Sequence, residues 1–202
     1  MIEYITGHPD KWGTALLEHL EIVGITLLVS LLLASVLTFL SMTSITLSKV
    51  LVYLFSVIYS IPSVALFAMM IPVTGLGMTT AITVLVVYNQ YLLLRNFIAG
   101  LNGVDPAIIE AATGIGMSNL QVLYRIRLPL SVRALFTGIR LAVVSTIGMA
   151  TIAAFINAGG LGDILFDGLR TMNVYKIVWG SVLSAGMAVG VNALFIRIEK
   201  SI

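Results

Sequence analysis

Apolar residues fall into five long runs broken by short polar interruptions, and one interruption is far longer than the others. The runs cover about 22–40, 50–71, 80–94, 135–156 and 177–196. Most are long enough to cross a hydrocarbon core of ~30 Å at about 1.5 Å of helical rise per residue. The pattern predicts an all-α, polytopic membrane protein of about five transmembrane helices, forming a single domain over 1–202. Residues 1–18 read as an external tail or interfacial helix, with Trp12 as an interface anchor and His8 and His19 isolated at exposed or interfacial positions. Glu3, Asp10 and Lys11 without a basic start argue against a signal peptide.

Polar residues inside the runs refine this picture. Pro62, within Ser60-Ile61-Pro62-Ser63, removes one backbone hydrogen bond and predicts a kink or break in the second span. That break either shapes a translocation path or serves packing. The third span carries Tyr88, Asn89, Gln90 and Tyr91 before ending at Arg95. Amides in a membrane helix face protein or a watery path, because lipid offers no partner. Interhelical hydrogen bonding is the first reading, and a path lined by Tyr88, Asn89, Gln90 and Pro62 is the sharper one. Arg140 is expected to snorkel to the near interface or to reach a partner carboxylate, snorkelling being the cheaper, and Gly186 and Gly190 have the small-xxx-small spacing of close helix packing. A loop over 157–163 leads to a short interfacial helix over 164–175.

The long interruption, 96–134, reads as a folded object. Asp105 caps a short helix with Pro106 at its first position, where a missing N–H costs nothing. Gly114 and Gly116 let that helix stop. Ser118 and Gln121 form a capping-box pattern that opens a second helix, and Pro129 ends it. Arg125 and Arg127 fall near its C-terminus, where the dipole favours cations. The result is a helix–turn–helix knuckle suited to docking into another protein.

Composition narrows the class. Apolar residues make up 59% of the chain and charged residues 10%, against roughly 25% charged in ordinary globular domains. A net charge of +2 gives no footprint for nucleic acid. Without cysteine there is no disulfide framework or thiolate metal site. The chain has no G-x-x-x-x-G-K-[ST] phosphate loop, no nucleophile–base constellation and no metal-ligand spacing, so it reads as neither an ATPase nor another enzyme, and binds no cofactor itself. Lys49, Arg95, Arg125, Arg127, Arg133, Arg197 and Lys200 collect on one side of the membrane, against Lys11, Arg170 and Lys176 on the other. The positive-inside rule then puts the long loop and the C-terminus inside and the N-terminus outside.

The stretch EAATGIGMSNLQVLYRIRLP resembles the signature loop of ABC importer permeases. Glu110, Ala111, Ala112, Gly116, Ile126, Leu128 and Pro129 fill every place of that pattern, with Gly114 and Met117 inside it. The passage 92–118, Ser60-Ile61-Pro62-Ser63 and Ala158-Gly159-Gly160-Leu161-Gly162 are similar to the osmoprotectant branch, which imports glycine betaine, carnitine and choline. The resemblance implies a type I ABC importer permease fold in a prokaryotic cell membrane. It implies a cytoplasmic ATPase dimer carrying ATP and Mg, a second permease subunit, identical or related, and an external binding protein or domain docking around 157–175 and 71–79. It implies that the helix from Pro106 to about Ile115 docks into the ATPase, with Glu110 making a polar contact, Gly116 permitting the turn and Pro129 fixing re-entry into the membrane. A methionine-type importer is the nearest rival. An ion-coupled carrier or channel is the alternative of another class, but it would need deep acids or repeats that are not visible here.

Overall fold

The structure is a computed structural model that describes residues 9–201, and His8 lies outside them. Helix α1 spans Pro9–Ser41. Nine of its ten buried residues, Trp12, Ala15, His19, Ile22, Thr26, Ser30, Ala34, Thr38 and Ser41, recur every three or four positions. This stripe of mostly small and hydroxyl side chains lets neighbouring helices come close, as helices in lipid must to gain packing energy. Trp12 and His19 are therefore buried, against the expectation of interfacial positions. Their placement follows from α1 continuing as one helix beyond its apolar run. His19 Nε2 lies 3.2 Å from the Ile147 carbonyl, 128 residues away in sequence.

The run at 50–71 is broken near its middle, as Pro62 predicts. Helices α2 (Ile45–Tyr59) and α3 (Ser63–Thr74) meet at a 97° bend over Ser60–Pro62. The break leaves the Ile61 carbonyl without a helical donor, and the Tyr88 hydroxyl donates to it. Four other helical stretches are long and apolar enough to cross a membrane: α1, Met78–Asn102, Asn119–Ile156 and Val174–Glu199.

Helix α4, Met78–Asn102, is the hub, burying thirteen residues including Val84, Leu85, Leu93 and Leu94. It packs on α1, α2, α3 and above all on α7, Leu128–Ile152. A Cβ at Gly100 would fall 2.6 Å from Ala134 Cβ, and one at Gly138 would fall 2.8 Å from Asn96 Cβ. The two backbones therefore touch at two points where only glycine fits. A short helix α8 (Leu161–Arg170) and the last helix, α9 (Val174–Glu199), form a hairpin on the α7 side. Gly180 admits Leu165 there.

Two further expectations are resolved. Arg140 reaches a partner carboxylate, the second of its two expected outcomes: Nη1 pairs with Glu199 on α9 at 3.1 Å, and Thr137 donates to the same carboxylate at 3.0 Å. Among the described residues Gly186 and Gly190 meet no atom within 4 Å of where a Cβ would stand, so their face of α9 is open.

Candidate functional site

The knuckle is shorter than the 96–134 interruption, because α4 runs to Asn102 and helix resumes at Asn119. Between them α5 spans Pro106–Gly114. The Asp105 carboxylate accepts from Ala107 N at 2.9 Å, and Pro106 occupies the first turn. The end of α5 is a Schellman turn. Met117 N donates to Ala112 O at 3.1 Å and Gly116 N to Thr113 O at 2.9 Å, with Gly116 at φ +87°. Gly116 is the residue the turn needs; Gly114 is the last helical residue and has no positive φ.

The second helix opens as its sequence directs. Ser118 N donates to Gln121 Oε1 at 2.8 Å and Gln121 N to Ser118 Oγ at 3.4 Å, a complete capping box for α6, Asn119–Val122. Pro129 does not end it. A π-helical turn over Leu123–Arg127 leads directly into α7, with Leu128 N donating to Leu123 O. A proline ring ordinarily collides with the carbonyl four residues back, and the wider π turn accommodates it. Arg127 ties this junction to the end of α4, donating to Leu101 O at 3.0 Å and to Asn102 Oδ1 at 3.3 Å. Ser131 donates to Gly100 O at 2.8 Å.

The signature residues divide by exposure. Ala112 is buried against the underlying helices, whereas Glu110, Ala111, Gly114, Gly116 and Pro129 are exposed. Met117, Ile126 and Leu128 are half-buried. The Glu110 carboxylate has no ion pair among the described residues. Ile115, 81% exposed, and Leu120 add apolar surface to the outward face. The knuckle therefore presents an acid and apolar side chains on a capped support.

The membrane amides stand elsewhere. Asn89 and Gln90 are fully buried. Asn89 Nδ2 donates to Thr146 Oγ1 at 2.8 Å and to Ser30 Oγ at 3.2 Å, joining α4 to α7 and α1. Gln90 Nε2 donates to Ser30 O at 3.3 Å and Val86 O at 3.1 Å. Tyr88 is buried too, while Pro62 is exposed at the bend. In this conformation both amides serve interhelical bonding and offer no surface to a passing solute.

At the far end of α7, Asn157 adopts φ +58°, Gly159 and Gly160 both adopt +85°, and the loop folds back onto α1. Gly160 N donates to Glu18 Oε2 at 2.9 Å. Burial first, and the Glu18 charge second, push the Asp163 carboxyl up from its ordinary value. Sequence reasoning missed this clasp, since 142 residues separate its ends. Among the described residues no cluster of His, Asp or Glu could hold a metal ion.

Comparison with known proteins agrees with this architecture. The chain is 40% identical over 127 residues to a carnitine transport permease protein of Listeria monocytogenes, covering 63% of this chain and 58% of that one. It is 40% identical over 128 residues to an ergothioneine transport permease/ergothioneine binding protein of Helicobacter pylori, covering 63% and 23%. It is 35% identical over 148 residues to a choline transport system permease protein of Bacillus subtilis, covering 73% and 66%. The alignments thus span less than two thirds of these relatives. Among solved structures, a chain of the inward-facing MetNI methionine ABC transporter superposes with a TM-score of 0.87 at 19% identity, over 95% of each chain. An amino acid ABC transporter gives 0.84 at 15% identity, over 98% of this chain and 97% of that one. Residues 26–201 match the family described as the binding-protein-dependent transport system inner membrane component. The chain belongs to that family of membrane permease subunits and has the type I ABC importer permease fold.

Proposed function

We propose that this chain is the permease subunit of an ATP-driven, binding-protein-dependent importer of quaternary-amine solutes, with the 103–118 knuckle as its ATPase contact. The observation that carries the reading is the construction of that knuckle. Its helix is capped at both ends, its signature glycine sits where the turn demands φ +87°, and its acid and apolar side chains point outward. Such a surface transmits force without deforming. Glu110 makes the polar contact to the ATPase, Ala111 and Gly114 keep the face low, and Met117 and Ala112 fasten the turn beneath. Ile126, Leu128 and Pro129 set the path into α7.

ATP and Mg belong to two ATPase subunits on the cytoplasmic side, which the positive-inside distribution assigns to the knuckle and the C-terminus. A second permease subunit completes the path, and the open Gly186–Gly190 face of α9 is a surface available to it. An external binding protein delivers solute at the loop around 157–175. Closure of the ATPases shifts the knuckle and rocks the spans between inward- and outward-open states. Tyr88, Asn89, Gln90 and the Pro62 bend hold the spans beside that path together.

Carnitine, choline and ergothioneine, named for the relatives, each carry a trimethylammonium group, which supports this solute class over methionine. The likeness to the methionine transporter, at 19% identity, concerns the fold. The test is ATP hydrolysis in liposomes holding this subunit, its neighbouring ATPase and its binding protein. Stimulation by betaine, carnitine, choline or ergothioneine supports the reading. Stimulation by methionine alone retains the machine and replaces the solute, and failure to assemble with an ATPase removes both.

A further inference from the structure

Helices α2 and α4 line an open groove of about 590 Å³. Its polar lining includes Lys49, Tyr53, Tyr91, Arg95 and Asn102, and no acidic residue lines it. Neither Lys49 nor Arg95 has an ion pair among the described residues. Two cations facing one groove without a carboxylate leave room for an anionic group.

Arg95 is held in place by aromatic neighbours. Its Nη1 donates to the Tyr91 hydroxyl at 2.9 Å, and its guanidinium carbon lies 5.8 Å from the centre of the Tyr91 ring. Tyr91 in turn packs on Tyr59 at 5.0 Å between centroids, and Tyr59 meets Tyr88 edge-on at 5.5 Å. This chain of rings pre-sets the guanidinium, which lowers the entropy of placing it on a ligand. The Tyr53 ring lines the same groove and is 71% exposed. A free tyrosine face attracts a quaternary ammonium through its quadrupole.

We propose that this groove is a solute subsite for a small zwitterion, its carboxylate on Arg95 and Lys49 and its quaternary ammonium on Tyr53. The proposal rests on the importer reading and adds a selectivity to it. Solutes bearing both charges are held at two points, whereas a quaternary ammonium alcohol without a carboxylate is held at one and meets two uncompensated cations. Asn102 connects the subsite to the knuckle, since it lines the groove and accepts from Arg127.

The experiment pairs two readouts on the permease–ATPase complex. Saturable binding of labelled glycine betaine and choline is measured in phosphatidylethanolamine–phosphatidylglycerol nanodiscs without binding protein, and uptake is measured in liposomes with it. Arg95→Gln is expected to weaken betaine binding about tenfold, the scale of one lost charge-assisted hydrogen bond, while choline binding is kept or strengthened. Lys49→Gln moves binding the same way. Tyr53→Leu weakens both ligands and Tyr53→Phe restores them, while monodisperse elution verifies that each variant is folded. Absence of saturable betaine binding to wild type, an equal loss of both ligands in Arg95→Gln, or a change confined to co-purified phosphatidylglycerol overturns the subsite. Uptake separates the two claims. A wild type that takes up no quaternary amine refutes the importer reading, whereas uptake with an unaltered betaine-to-choline ratio in Arg95→Gln refutes the subsite alone.

Discussion

Asn89 and Thr146 join the two central helices side chain to side chain, the amide of α4 donating to the hydroxyl of α7 at 2.8 Å. Thr146 passes its own proton on to Ala142 O at 2.7 Å, so the pair feeds into the α7 backbone. Asn89→Leu strips this bond and the one to Ser30, leaving buried hydroxyls with fewer partners. A loss of about 1–3 kcal/mol in stability is expected. Thermal unfolding in detergent checks it, and the double variant Asn89→Leu/Thr146→Val should lose less than the sum of the single changes.

Gly116 and Gly114 are two residues apart and should respond in opposite ways. At φ +87° Gly116 admits no side chain without strain, so Gly116→Asp distorts the knuckle. Solute uptake should fall while ATP hydrolysis persists and the subunit stays folded. Gly114 is helical with open space around it, so Gly114→Ala should keep uptake. Comparable uptake by both variants would remove the knuckle from coupling.

Gly162 sits so close to the end of α7 that a Cβ would stand 2.0 Å from Thr151 O. Nothing flexible can yield there, because the obstructing atom is backbone. Gly162→Ala is expected to destabilise by about 1–3 kcal/mol as α8 is pushed off α7. Faster hydrogen exchange in α8, with α4 unchanged, is the expected signature.

Asp167 gives the α8–α9 hairpin a pH dependence. Hydrogen bonds from Lys176 and then Arg170 hold its carboxyl below the ordinary value. A depressed folded-state pKa contributes stability above the unfolded value of about 3.9, and that contribution disappears as pH falls through the folded pKa. Asp167→Asn should therefore be less stable than wild type at neutral pH, with the difference vanishing in acid. A constant difference across an acid titration of the unfolding midpoint would contradict this.

Local chemistry was legible in the sequence wherever the partners are near each other along the chain. The Asp105 cap, the Ser118–Gln121 box and the Gly116 turn each involve residues no more than five apart. The Pro62 break was readable for the same reason. Long-range pairings were not. Nothing near His19 announces the Ile147 carbonyl, and nothing near Arg140 announces Glu199. Pro129 misled because a proline normally stops a helix, and the π turn that absorbs it has no sequence marker. Gly186 and Gly190 kept their close-packing spacing but found no neighbour among the described residues.

The two glycine contacts between α4 and α7 have a mechanical consequence. Helix runs from Asn119 to Ile156 without interruption, and its two glycine contacts with α4 both lie toward its knuckle end, at Ala134 and Gly138. A rod held this way has unequal arms: about 22 Å from the pins back to the knuckle and about 27 Å onward to the opposite end, at ~1.5 Å per residue. A tilt imposed at the short arm returns a larger excursion, in the opposite direction, at the Asn157–Gly160 loop that clasps Glu18. Fulcrum position thus sets the gain of the stroke, and filling Gly100 or Gly138 would shift it.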